Sequence, residues 1–162
     1  MYLGKDQILK RIREEGLLSG CDEEYIQGAG ADLRIERLFE VTSGALVGRE
    51  KREPPELKEV DGEVFILKPK GYYLCLTKEE LNMPLDLVAF LFPRSTIFRC
   101  GASLKTAVID PGYKGALTIG IKNESGFELR LEKGARIAQV VFSLVQGEAE
   151  GYEGKYQGGR VR

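Results

Sequence analysis

From position 31 onward the chain is a succession of short apolar runs, at 33–39, 64–67, 72–76, 88–92, 117–121, 127–131 and 136–144, each bounded by Gly, Pro, Asn or Asp. Short runs punctuated by turn formers predict strands, and so many in succession predict an antiparallel sandwich or barrel. Two segments are expected to depart from the pattern. Residues 5–15 place Ile8, Leu9 and Ile12 at helical spacing, with Gly16 where a C-terminal cap belongs. Residues 78–81, followed by Asn82-Met83-Pro84, read as one helical turn stopped before proline. The charged stretch 48–59, with Pro54-Pro55, reads as a surface loop or β-excursion rather than a linker. The expectation is a mainly all-β protein with a short N-terminal helix.

A chain of 162 residues is enough for one domain whose core needs no disulfide or structural metal. We assign that domain to residues 1–147. The remainder, 148–162, has little aliphatic content but carries Tyr152, Lys155, Tyr156, Gln157 and Arg160 among glycines. It reads either as a floppy terminus or as a flexible tail that closes over a nucleotide.

With 24 Lys+Arg against 25 Asp+Glu, the net charge of -1 gives no global field to attract nucleic acid or an acidic membrane, so any anion site must be local. The absence of histidine removes Ser-His and Cys-His nucleophile pairs and leaves proton transfer to a carboxylate, tyrosine, lysine or cysteine. Cys21, Cys75 and Cys100 are odd in number, far apart and without a C-x-x-C, as expected of reduced thiols in a cytoplasm and not of a zinc site. The N-terminus has no apolar stretch of signal-peptide type, and no window approaches the roughly 18 apolar residues of a membrane span. A soluble, cytoplasmic protein is expected.

Two turns carry the chemistry. Pro93-Arg94-Ser95-Thr96-Ile97-Phe98-Arg99-Cys100-Gly101 follows an apolar run and sets cations and hydroxyls where a strand emerges. Arg94 and Ser95 can converge on an anion, or form a helix cap with a salt-bridged arginine. Arg99 can join them across a short helical turn, or face solvent. Ile109-Asp110-Pro111-Gly112-Tyr113-Lys114-Gly115 contains a type II turn, with proline second and glycine third. Asp110 can take a proton from water or bond the turn backbone, and Tyr113 can wall a sugar or sit half-buried in a strand. Beyond it, alternation puts Leu117, Ile119 and Ile121 toward the core, with Thr118, Gly120 and Lys122 on the other face. Gly120 there marks a close approach by backbone or ligand.

Together these turns resemble the deoxyuridine triphosphatase and deoxycytidine triphosphate deaminase superfamily, over nearly the whole chain. Its ordered motifs appear as Gly30-Ala31-Asp32-Leu33-Arg34, Pro93-Arg94-Ser95, the Ile109–Gly115 turn just quoted, Gly134-Ala135-Arg136-Ile137-Ala138-Gln139, and a tail Gly151-Tyr152-Glu153-Gly154-Lys155-Tyr156-Gln157-Gly158. The tail, and a helix ahead of Gly28-Ala29-Gly30, look like the archaeal, deaminase-like branch. The resemblance implies a distorted β-barrel or jelly-roll-like domain (β-clip) forming a homotrimer, with active sites at subunit boundaries.

It also implies chemistry. Deaminases of this group use a glutamate, without zinc, at a position occupied here by Gly120, and glycine cannot transfer a proton; Arg99 matches an arginine that they have. The implied activity is therefore hydrolysis of dUTP to dUMP and pyrophosphate, with Asp110 activating the water. Arg94, Ser95, Thr96, Arg99 and Gln139 would bind substrate, joined by Tyr152, Lys155, Tyr156 and Gln157 from the tail, while Tyr113 packs on the deoxyribose. Mg²⁺ would arrive mainly on the triphosphate. Asp32 lies either near the water shell of that ion or in a structural role on a strand. Uracil would be read by backbone groups around 102–107. The alternatives are a dCTP deaminase or bifunctional enzyme using a water held by Glu124 or Thr118, and a non-catalytic nucleotide-binding regulatory trimer.

Overall fold

The computed structural model describes residues 1–161; Arg162, the last residue of the predicted tail, lies outside them. Helix α1 (Lys5–Glu15) ends at Gly16, whose φ of 66° is the left-handed cap expected there, with its N–H bonded to the Arg11 and Ile12 carbonyls. Ile8 is fully buried, so one apolar stripe docks the helix on the sheet.

Strands follow in the order β1 (Leu18–Ser19), β2 (Ile26–Gln27), β3 (Gly30–Val41), β4 (Leu46–Val47), β5 (Arg52–Glu53), β6 (Leu57–Val60), β7 (Val64–Leu67), β8 (Tyr72–Asn82), β9 (Leu87–Pro93), helix α2 (Ser95–Arg99), β10 (Ala102–Lys105), β11 (Lys114–Asn123), β12 (Leu129–Glu132) and β13 (Arg136–Leu144). The main sheet runs β10-β11-β8-β3-β13-β9, antiparallel at each pairing. After β10 the chain returns to the far edge: Ile109 bridges Ala89 of β9, and the Thr106 hydroxyl donates to the Leu91 carbonyl at 3.3 Å. That return ties the two edges together into a nearly closed, distorted barrel. Its interior is filled by residues such as Leu33, Ile35, Leu38, Ile119, Ile121, Val140 and Phe142, all at 0% exposure. The predicted alternation of β11 holds, with Leu117, Ile119 and Ile121 buried.

Two expectations are corrected. Residues 78–81 are not a helical turn but the end of β8, paired with β1 through Leu18↔Leu81 and with β11 through Ala116↔Glu80. Lys78-Glu79-Glu80-Leu81 has helix-forming composition, yet it alternates exposed and buried, and partners on both sides override propensity. The strand predicted at 127–131 begins at Leu129, because buried Asn123 holds the preceding turn. Its amide donates to the Phe127 carbonyl at 2.7 Å and its side-chain oxygen accepts from Ser125 N at 3.0 Å, leaving the Phe127 ring outside. Of the 48–59 stretch, β5 is part of a β-excursion, since β4 and β5 pair only with each other, whereas 57–59 return to the main sheet in β6, which pairs with β3.

A buried ion pair joins β3 to β8. Arg34 donates from Nε to Glu79 Oε1 at 2.6 Å and from its backbone N to Oε2 at 2.7 Å, and the Glu79 side chain is wholly buried. Asp22 is the guanidinium's other carboxylate, at 2.9 Å, and is largely exposed. Removing one member of such a pair strands the other in a low dielectric. Glu79→Ala is therefore expected to cost about 3–5 kcal/mol, read as a lower urea midpoint at unchanged slope; a loss under about 1 kcal/mol, the scale of an exposed pair, would contradict it.

Candidate nucleotide site

The Asp110-Pro111-Gly112-Tyr113 turn forms as predicted, with Gly112 at φ 78° and the Tyr113 N–H bonded to the Asp110 carbonyl at 3.3 Å. The Asp110 side chain is exposed, and its carboxylate has no hydrogen bond or ion pair among the described residues, so it does not serve as a turn-bonding Asx group. Tyr113 is 8% exposed and donates to the Ala116 carbonyl at 2.6 Å. Burial, with the nearby Tyr152 second, pushes its phenol up to about 12, so it stays protonated through the neutral range.

The tail lies over this turn. Tyr152 N–H donates to Pro111 O at 2.8 Å, Gln157 accepts from Lys114 N at 2.7 Å and donates to Gly112 O at 3.0 Å, and Gly158 N–H donates to Lys114 O at 2.8 Å. The Tyr152 ring meets Tyr113 edge-on at 5.6 Å. Glycine is needed twice in the turn. A Cβ on Gly112 would lie 2.9 Å from Gly151 Cα, and one on Gly115 2.6 Å from Gly159 N, and both glycines have positive φ.

Between turn, tail and sheet is a cavity of about 320 Å³, within the size range of small-molecule sites. Asp110, Tyr113, Tyr152 and Tyr156 line it, with Leu74, Leu91, Leu117 and Val108 as apolar walls and Thr118 as a hydroxyl. Asp110 is the only carboxylate among its described lining residues. Thr118 Oγ1 is the one buried side-chain oxygen or nitrogen without a hydrogen-bond partner among the described residues. Gly120 has a reason of its own: a Cβ there would fall 2.3 Å from Tyr72 Oη and 3.0 Å from Lys105 Cβ, so the close approach is by a tyrosine of the neighbouring strand.

The other predicted residues gather elsewhere. Arg94 and Arg136 both reach Asp32 Oδ2, at 2.8 and 3.2 Å, and Gln27 donates to the same oxygen at 3.3 Å. Asp32 is thus a buried strand carboxylate held between two guanidiniums. Gln139 lies opposite it in the β3–β13 register. Ser95 and Thr96 open α2 and Arg99 closes it; all three are exposed, and the N-terminus of α2 has no side-chain cap, so Ser95 does not play the capping role. Arg94 follows the end of β9, whereas Asp110 follows the residue bridged to Ala89 near its start. Arg94 stands five residues along the strand from Ala89, a backbone offset of roughly 16 Å. Lys155 is exposed, its ammonium 5.4 Å from the Tyr156 ring.

Sequence reasoning missed Arg52 and Pro54 of the excursion, which also line the cavity, and Arg136, although Arg136 stands inside the quoted Gly134–Gln139 motif. Neither Cys21 nor Cys75 offers a thiolate near neutral pH. Burial pushes Cys21 up to about 11 and Cys75 up to about 12, which keeps both protonated. No helix is long and apolar enough to cross a membrane.

The dCTP deaminase-like family model matches residues 2–145. The chain belongs to that family. It is 35% identical, over 98% of its own length and 97% of the relative's, to a probable deoxyuridine 5'-triphosphate nucleotidohydrolase of Archaeoglobus fulgidus. It is 34% identical, over 93% and 91%, to a dCTP deaminase, dUMP-forming, of Persephonella marina. Among solved structures, the 2'-deoxycytidine 5'-triphosphate deaminase of Agrobacterium tumefaciens superposes with a TM-score of 0.70 at 21% identity, covering 87% of this chain and 48% of that one. The chain spans about half the length of that structure, and the likeness is one of fold.

The orphan Thr118 hydroxyl makes a stability prediction. An unpaired buried hydroxyl costs about 1–3 kcal/mol, so Thr118→Val should stabilise the ligand-free protein by roughly 1 kcal/mol, read as a higher denaturation midpoint. A loss of stability would mean the hydroxyl has a partner in solution.

Proposed function

We propose that this protein is a dUTP diphosphatase, hydrolysing dUTP to dUMP and pyrophosphate. The observation that carries the reading is Asp110: a lone, unpartnered carboxylate on the rim of a cavity walled by a buried tyrosine. An unpaired carboxylate there can orient a water and take its proton as the water attacks the α-phosphorus, while Tyr113 supports the sugar. Relatives named as probable deoxyuridine triphosphate nucleotidohydrolases along nearly the whole chain support the same choice.

Hydrolytic deamination asks for a proton-transferring group on the strand after the turn, and at Gly120 there is none, Tyr72 filling the space a side chain would take. The Persephonella marina relative, named as a dUMP-forming dCTP deaminase, is the observation that keeps a bifunctional reading in play.

The backbone offset of roughly 16 Å between the Asp110 and Arg94 ends of β9 supports a site completed across a subunit boundary, where a neighbour's Arg94 would face the phosphates. Phe92 and Phe98, 53% and 55% exposed beside Arg94 and Arg99, give that end an apolar surface for a neighbour. A homotrimer closes such a boundary, with Arg94, Ser95, Thr96, Arg99 and Gln139 facing the phosphates and the tail closing over the nucleoside. Among the described residues no three acidic, histidine or cysteine side chains form a metal cluster, and Asp32 is already engaged by two arginines. Mg²⁺ therefore fits as an ion carried on the triphosphate and its waters, where it neutralises phosphate charge. Asp110, Tyr113 and the tail act on the nucleotide without coordinating it.

Purified protein given Mg²⁺ with dUTP or dCTP should release pyrophosphate from dUTP and no ammonia from dCTP. Ammonia at a comparable rate would move the assignment to a deaminase, and no product from either would leave a binding protein. Asp110→Asn should lower kcat by about 10²–10⁴-fold, with dUMP affinity changed only a few-fold; turnover at the wild-type rate would remove Asp110 from the mechanism.

A further inference from the structure

The β4–β5 hairpin is hard to explain by packing. It is a two-stranded ribbon apart from the main sheet, and such ribbons are marginal alone. Leu46 and Val47 are 46% and 87% exposed, so no apolar face of it is sunk in the core. Its base is pinned by polar contacts, Thr42 N–H to Glu56 O at 2.9 Å and Glu56 N–H to Ser43 Oγ at 2.8 Å. What it reaches is the cavity, which Arg52 and Pro54 line.

Arg52 is a cation without a carboxylate among the described residues; its neighbours Lys51 and Glu53 pair with each other. Its guanidinium instead lies over the Tyr156 ring, 5.4 Å from the centroid. Tyr156 belongs to the tail, whose other hydrogen bonds and ring contact to the rest of the chain, among the described residues, fall on the 110–115 turn: Tyr152 against Tyr113 and Pro111, Gln157 against Gly112 and Lys114, Gly158 against Lys114. The tail thus spans the cavity from turn to hairpin, with one tyrosine at each side.

We propose that Arg52 is a positioning residue that latches the tail closed through Tyr156, the hairpin serving as the receiving edge of the nucleotide cavity. The proposal rests on the reading of that cavity as a nucleotide site. A planar guanidinium suits the task because it stacks on a ring while its N–H groups stay hydrated. An exposed cation–π contact shifts an open–closed equilibrium by about two- to fivefold, enough to tune closure without locking the tail.

The test is a double-mutant cycle in the full chain with Arg52→Ala, Tyr156→Ala and the pair. In nucleotide-free protein, hydrogen exchange at the amides of 152–158 should quicken about two- to fivefold in Arg52→Ala. Arg52→Lys, which keeps the charge but not the planar face, should fall between, and amides of β8 and β11 should not change. With dUTP, Arg52→Ala should raise KM by a similar factor in the wild-type background and have no further effect in Tyr156→Ala. Unchanged tail exchange would overturn the latch. So would an equal KM effect in both backgrounds, because Arg52 would then be touching the phosphates directly. If the wild-type protein turns over neither dUTP nor dCTP, the functional reading fails while the exchange measurement still decides the latch.

Discussion

Everything near the candidate site depends on two opposite charges buried two residues apart on β3. Arg34 is neutralised toward β8 by Glu79, and Asp32 is engaged by Arg94 beyond β9 and Arg136 on β13. Buried ions are tolerated only when paired and hydrogen-bonded, so each fixes where its partners' strands must run. Because β3 lies between β8 and β13, the two ion clusters hold the middle of the barrel in register from both sides. A one-residue slip would separate both clusters at once, which is a stronger constraint on register than apolar alternation alone.

The same arrangement divides the chemistry. Two guanidiniums on one carboxylate leave a net positive charge at the Arg94 end, whereas the Asp110 end offers an unpaired carboxylate beside an apolar cavity. Had Asp110 faced the arginines within one chain, it would have been drawn into an ion pair. Their separation along β9 keeps the carboxylate and the cations from pairing with each other within one chain.

Much of this was legible in the chain. The Gly16 cap, the Asp-Pro-Gly turn and the alternation of β11 are local, and local chemistry specifies them. The strand at 78–81 was hidden because Lys78-Glu79-Glu80-Leu81 is helical by propensity, and what makes it a strand is β11 and β1, distant in sequence. Glu79 could not be recognised as buried without Arg34, 45 residues earlier. The chain alone does not decide between the two roles of Asp32 for the same reason, since its arginines arrive from other elements. Arg52 gave no sequence signal, because a lone arginine in a charged excursion looks like any solvated one until the tail is seen lying beside it. Gly120 was rightly flagged as a close approach, but the visitor is Tyr72, and only strand pairing identifies it.

Gly112 and Gly115 show how closely turn and tail are matched. Each needs glycine for its own positive φ, and each also gives the tail backbone room that a methyl group would take away. At Gly112 the φ alone could be met by asparagine, and a displaced tail could avoid a side chain, but the φ of 122° at Gly115 is open to glycine alone. Both requirements together leave glycine only at Gly112 as well. The contacts that then hold the tail are almost all hydrogen bonds to the turn, which exchange with water at small net gain. Contacts of that kind hold the tail on the turn at a small net free energy, so a ligand that favours this arrangement needs only modest differential binding energy to stabilise it.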